Sequence, residues 1–161
     1  MTSPAMTNPP RTKAEAILSI KYQIRLHALH RRLFKRVQSL LAVVSLLAGA
    51  AALIPFWQSI PGGITISAVI VAFVSIVGAL GGFAEDSVKH DIWRREAADL
   101  LARSAGMDLV AIDAALAYVP GDDETIESLR AVAFNDVLTS GGFDDGKHTE
   151  SCSERVFRQI A

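Results

Sequence analysis

The chain has 161 residues, half of them apolar and a fifth charged, with a net charge of −1. A single cysteine, Cys152, excludes an intramolecular disulfide framework and a Cys-rich zinc module, and the near-zero total gives no bulk attraction to nucleic acid. That total hides a segregation: residues 1–36 carry eight Lys or Arg against one acid, 37–84 carry no ionisable side chain, and 85–161 carry eight bases against sixteen acids.

The first eleven residues are rich in Pro, Thr and Ser and read as a disordered N-terminus. They do not read as a secretory signal, because the apolar run starts too late and lasts too long. Thr12-Lys13-Ala14-Glu15 has the pattern of a helix capping box. Leu18, Tyr22, Leu26, Leu29 and Leu33 then recur at helical spacing, so 12–36 is predicted as a basic amphipathic helix. No Pro or Gly interrupts the chain before Gly49, and the helix is expected to continue to about Trp57.

Val37–Ala84 is 48 residues without Asp, Glu, Lys, Arg or His. A membrane-crossing helix needs roughly 20 apolar residues, so this run holds two spans, 37–57 and 63–84, around a Pro-Gly-Gly turn at 58–62. Pro55 loosens the end of the first span, and Phe56 and Trp57 sit where interfacial aromatic anchors lie. Burying such a hairpin in a water-soluble core would take the other residues, which are highly charged and carry no comparable apolar surface. The second span is expected to run on as a helix over 85–106, with Ile92, Trp93, Ala97, Leu100 and Leu101 as its apolar side. The extensions of about 25 and 21 residues would pair antiparallel beyond the membrane.

Residues 107–161 form an acidic tail, with helices expected at 108–119, at 124–138 behind an Asp123 cap, and at 153–160. Its four bases and eleven acids oppose the basic arm, which favours docking of the tail on that arm. The fold class is therefore an all-α membrane protein: a two-helix transmembrane hairpin with long helical extensions and a C-terminal helical region.

Lys and Arg are retained on the cytoplasmic side. Lys21, Arg25, Arg31, Arg32, Lys35 and Arg36 precede the first span, and Lys89, Arg94, Arg95 and Arg103 follow the second. The turn has none, so both termini are expected in the cytoplasm. Arg31, Arg32, Lys35 and Arg36 act as a topology signal and meet anionic headgroups.

Helices in lipid pair through small residues. The first span carries Ala42, Ser45, Gly49 and Ala52, and the second Ala68, Ala72, Ser75, Ala79 and Gly82, both at heptad spacing; Gly78 and Gly82 also form a GxxxG pair. These are the candidate helix-packing and oligomerisation residues, and homo-oligomers are expected. The absence of ionisable groups in the spans argues against a proton relay or voltage sensor. Ser45, Thr65, Ser67 and Ser75 either line a passage or bond to their own helix backbone, the second being favoured.

His27 and His30 are spaced to share a metal, but no carboxylate stands near them in a basic helix. His90-Asp91 and Glu85-Asp86 are expected to ion-pair with Arg36 and its neighbours across the hairpin. Pro61-Gly62-Gly63 and Gly141-Gly142 match no phosphate-binding loop. No metal, cofactor or nucleophile constellation emerges, and the chain reads as a non-enzyme.

The layout as a whole resembles the SLATT domain proteins of bacteria: a basic helix marked by Leu18, Tyr22 and Arg25, two spans with a minimal turn, and the charged helix Glu85–Arg103. Arg130–Leu138 resembles an Ala-aromatic-Asn-acidic stretch of their C-terminal regions. The resemblance covers roughly Ala14 to Leu138. It implies a pore-forming or membrane-perturbing effector of a bacterial conflict or phage-defence system, in the cytoplasmic membrane, triggered by a cytoplasmic sensor or nucleotide-signalling partner. A membrane-anchored scaffold recruiting a partner through its acidic tail and a holin-like protein are the alternatives.

Overall fold

The structure, a computed structural model, describes residues 11–50, 53–120, 126–143 and 145–161. Every regular element among them is helical: α1 (Lys13–Gly49), α2 (Ile54–Ser59), α3 (Gly63–Leu80), α4 (Phe83–Arg103), α5 (Leu109–Leu116), α6 (Glu127–Ser140) and α7 (Cys152–Ile160). The expected disordered N-terminus falls almost wholly outside the described residues, as do Ala52 and Asp123.

The capping box at the start of α1 is formed in both directions. The Glu15 amide donates to Thr12 Oγ1 at 3.3 Å, and the Thr12 amide donates to Glu15 Oε2 at 2.7 Å. Hydrogen bonding by Thr12 holds the Glu15 carboxyl below its ordinary range. A second box, Ser151 with Glu154, starts α7, one residue before the predicted helix. Asp108 caps α5 by accepting from the Ala111 amide at 2.8 Å.

Two breaks depart from the expected pair of unbroken rods. α1 stops at Gly49 and does not reach Trp57, because Ala50 is extended and the chain resumes in α2 with Pro55 in its first turn. Proline has no amide to give the preceding turn, so it begins a helix and does not continue one. The second limb breaks at Gly81–Gly82, inside the expected span 63–84. Gly82 sits at φ +57, a left-handed conformation that closes α3 and starts α4. A Cβ on Gly81 would lie 2.3 Å from the Phe83 ring.

α1 runs antiparallel to α3 and α4, forming one long hairpin with its turn at Ile60–Gly63. The two ends of this hairpin differ completely. At the end holding the termini, α1 is the centre of a packed head with two apolar cores. Leu26, Leu29 and Leu33 meet Leu129, Val132 and Ala133 of α6, with Phe157 of α7 against them. On the other side, Ala16 and Ile20 meet Ala97 and Leu100 of α4 and Ile112 of α5. The tail thus docks on the basic arm through apolar side chains, with ion pairs such as Arg25–Asp136 (2.6 Å) and Arg11–Asp113 (2.7 Å) at the margin. Ile92 departs from the expected apolar side. It is exposed because its helical stripe continues through Glu96, Asp99 and Arg103.

Leu29 is fully enclosed between α1 and α6. Leu29→Ala is expected to cost about 2–5 kcal/mol in denaturant unfolding of the full chain in detergent, and to raise amide exchange throughout α6.

Candidate functional site

Two features stand out: the stem at the turn end, and the neck where stem meets head. In the stem, large apolar side chains point outward on every side. Leu46 is 70% exposed, Phe73 65% and Leu80 84%; Leu40, Val43, Leu47, Ile64, Val69 and Ile76 are exposed as well. Among the described residues of 37–84, only Ala48, Gly63 and Val74 are buried. One helical stretch, Gly63–Gly106, is long and apolar enough to cross a membrane. The first limb is shorter: Val37–Gly49 offers 13 apolar-stem residues, about 20 Å at 1.5 Å each, before the break.

The predicted packing residues divide. Ala42, Ser45, Ser75 and Gly78 line one cleft between α1 and α3, and Gly49, Ala68 and Ala72 line a second. A Cβ on Gly49 would touch Val71 at 3.8 Å, an ordinary contact. Ala79 is exposed, and open space surrounds the Cα of Gly78. Gly82 lies at the α3–α4 joint. Ser67 donates to the Ile64 carbonyl of its own helix at 2.8 Å. Trp57 is half-buried at the turn, its carbonyl so close to Gly63 that a Cβ there would lie 2.0 Å away. Of the basic cluster, Arg31 bridges to Asp91 of α4 (3.3 Å), Arg36 donates to the Gln159 carbonyl at the end of α7 (2.9 Å), and Arg32 and Lys35 are exposed.

The expected ion pairing across the hairpin forms between Asp91 and Arg31, a neighbour of Arg36, and Arg94 (3.0 Å) and Arg95 (2.8 Å) of α4 complete a fan around Asp91. Burial opposes the Asp91 charge, but the Arg94 hydrogen bond and the positive charges of Arg31, Arg95 and Arg94 outweigh it and hold the carboxyl below its ordinary range. Arg36 instead closes α7, satisfying carbonyls at a helix end where positive charge is favoured.

The neck holds what sequence reasoning treated piecemeal. His27, His30 and His90 are all buried and converge between α1 and α4. The His30 and His90 rings stack with centroids 4.7 Å apart, and Phe34 stacks on the same His90 ring at 5.5 Å. Trp93 closes the far side, edge-on to His90 at 5.1 Å and 5.4 Å from His27. His27 Nδ1 lies 3.0 Å from His90 Nδ1, and His27 Nε2 lies 3.2 Å from the Pro120 carbonyl. His30 Nδ1 lies 2.9 Å from the Leu26 carbonyl, while its Nε2 accepts the Ile126 amide at 2.8 Å.

These partners select one tautomer for each ring. The Ile126 amide only donates, so His30 carries its proton on Nδ1, toward Leu26. The Pro120 carbonyl only accepts, so His27 carries its proton on Nε2 and offers a lone pair to the N–H of His90. In this arrangement each ring presents one N–H and one lone pair. Burial, then the charge of Arg130, lowers His30 below the ordinary histidine value. Burial first, then His30, His27 and Lys89, lowers His90 to about 3. Among the described residues no group of His, Cys, Asp and Glu is arranged to hold a metal.

Asn135, within the stretch that carried the family resemblance, is also buried. Its side chain donates to the His148 carbonyl and accepts from the His148 amide, both at 2.8 Å. Beside it, Asp136 binds Arg25 and Arg158. This stretch ties His148, Glu150 and α7 to the head. No family model, curated protein or solved structure matches the chain.

Asp91→Asn removes the acceptor shared by three arginines whose own exposure screens them. It is expected to cost about 1 kcal/mol in thermal unfolding, a loss that shrinks as salt is raised.

Proposed function

We propose that the chain is an integral protein of a bacterial cytoplasmic membrane. Its two apolar limbs, 37–57 and 63–84, cross the bilayer as a hairpin with both termini in the cytoplasm. The stems of several copies assemble into a pore or membrane-perturbing complex, and the helical head governs that assembly. The single observation that carries this reading is the mismatch between the two ends of one hairpin. The head buries its apolar residues in two cores, whereas the stem, free of charge over 48 residues, leaves its own exposed. A patch of that extent in water would drive aggregation, and lipid removes the penalty. α3 alone rises about 27 Å over its 18 residues, close to the hydrocarbon thickness of a bilayer.

Charge placement supports the orientation. The bases Arg31, Arg32, Lys35 and Arg36 lie at the head end of the stem, and the turn Gln58–Gly63 has none. Self-association is supported by Ala79, a small exposed residue of α3. The SLATT layout agrees with this reading and adds the idea of a cytoplasmic trigger.

Phe73→Asp separates the solvents. At a water-exposed site the change is neutral, while a carboxylate near the middle of a spanning helix costs about 2.5–3.5 kcal/mol. We expect the wild-type chain to resist alkaline extraction from membranes and the variant to lose most of its membrane-bound fraction; equal fractionation of the two overturns the membrane reading. Induced expression of the wild type is expected to depolarise cells loaded with a potential-sensitive dye. Stable insertion without depolarisation contradicts the pore.

A further inference from the structure

We propose that copies of this chain join side by side through their heads, Tyr118 of one copy entering the cleft between α4 and α6 of the next. The contact rests on the reading that several stems assemble in one membrane, and it names the surfaces that meet.

The cleft lies over α1, where α4 and α6 stand apart and leave a hollow of about 740 Å³. Its floor is apolar: Ile24 and Ala28 of α1, Leu101 of α4 and Val137 of α6. Its rim is basic, with Lys21, Arg25 and Arg94. Asp136 holds Arg25 at 2.6 Å and Asp91 holds Arg94 at 3.0 Å, which fixes both guanidiniums in place. An apolar floor between planar cations seats an aromatic ring, which gains buried area below and cation–π attraction at its sides. The cleft has no aromatic residue of its own.

Tyr118 supplies the ring. At 88% it is the most exposed large apolar side chain among the described residues. It stands just past the end of α5, where unpaired carbonyls concentrate partial negative charge. From Ser104 to Pro120 the chain carries Asp108 and Asp113 and no Lys or Arg, and Arg11 engages Asp113 at 2.7 Å. The basic rim of the cleft therefore meets the negative end of a helix.

Level and side select a second copy as the occupant. The Pro120 carbonyl lies 3.2 Å from His27. Tyr118, two residues earlier, thus stands near the level of Ile24 and Ala28, which floor the cleft. Copies that share a bilayer are related by rotation about its normal, so only surfaces at one depth can meet. Arg11 bonds both Ser19 of α1 (2.6 Å) and Asp113 of α5 (2.7 Å), which marks the α5 side of α1. Ala28 is nine residues beyond Ser19, about two and a half helical turns, and points the opposite way. Ring and cleft lie on opposed sides of one head, so no copy fills its own cleft. Each copy gives one surface and receives the other, and assembly continues past a pair.

The test places thiols on the two surfaces of the full chain in the membranes of expressing cells: Tyr118→Cys with Ala28→Cys in a Cys152→Ser background. Oxidation by copper phenanthroline is expected to give a ladder of trimers and higher species for the double variant, and no more than dimers for either single one. Tyr118→Phe keeps the ring and is expected to preserve self-association measured by fluorescence transfer in liposomes. Tyr118→Ala removes it from an exposed site and is expected to weaken association about tenfold or more. A double variant that yields no more product than the single ones, or a Tyr118→Ala chain that associates like the wild type, overturns the contact. A thiol at position 28 shielded from a soluble maleimide equally with and without Tyr118 assigns the cleft to another occupant, a lipid or a different protein, and overturns it as well. These outcomes are read in protein that resists alkaline extraction, so they are distinct from failure of the membrane reading, in which the wild type itself washes out.

Discussion

Apolar surface without protein to cover it is the constraint on which the rest of this structure depends. The stem turns Leu46, Val69, Phe73 and Leu80 outward, and two antiparallel helices have too little mutual contact to enclose both. Something outside the single chain must supply the solvent. Once lipid is that solvent, other features acquire a place. Small residues line the facing clefts of α1 and α3, so the limbs approach closely. The charge-free run ends sharply at Arg36 on one limb and Glu85 on the other, marking a common level.

Below that level the chain behaves as an ordinary helical domain organised on one mast. α1 presents opposite faces to α6 and to α4 with α5, and its length makes the head and stem continuous. A disturbance in the head therefore has a rigid path toward the stem. The neck lies on that path. It is built from stacked imidazole and aromatic rings with hydrogen bonds to the Leu26 and Pro120 carbonyls and the Ile126 amide. Asp91, beside them, is surrounded by arginines on the partly exposed rim.

Much of this was legible in the residues. Both features of Thr12–Glu15 and the leucine stripe of α1 are local, and local chemistry is what a sequence states most directly. The breaks were harder. Pro55 signalled the loosened end of the first limb, yet α1 stopped earlier, at Gly49, where no breaker but one glycine stands. Gly82 was read as a packing residue paired with Gly78, although the adjacent Gly81-Gly82 also permits the left-handed joint that forms there. The histidine cluster was missed because His27 and His30 were weighed for metal on their own helix. The hairpin register held the signal: facing residues such as Gly49 and Val71, His30 and His90, or His27 and Trp93 have numbers adding to about 120, as equal helical rise on two limbs requires. The long-range bonds of Pro120, Ile126 and Asn135 leave no such trace, since they depend on how the tail folds back.

The central claim, that lipid surrounds the stem, is tested most directly by a nitroxide on Val69→Cys in a Cys152→Ser background, reconstituted in bilayers. Power-saturation measurements there are expected to show high collision rates with oxygen, which concentrates in hydrocarbon, and low rates with a water-soluble nickel chelate. Ready access of the chelate to that position, with oxygen collisions at their aqueous level, would contradict the account.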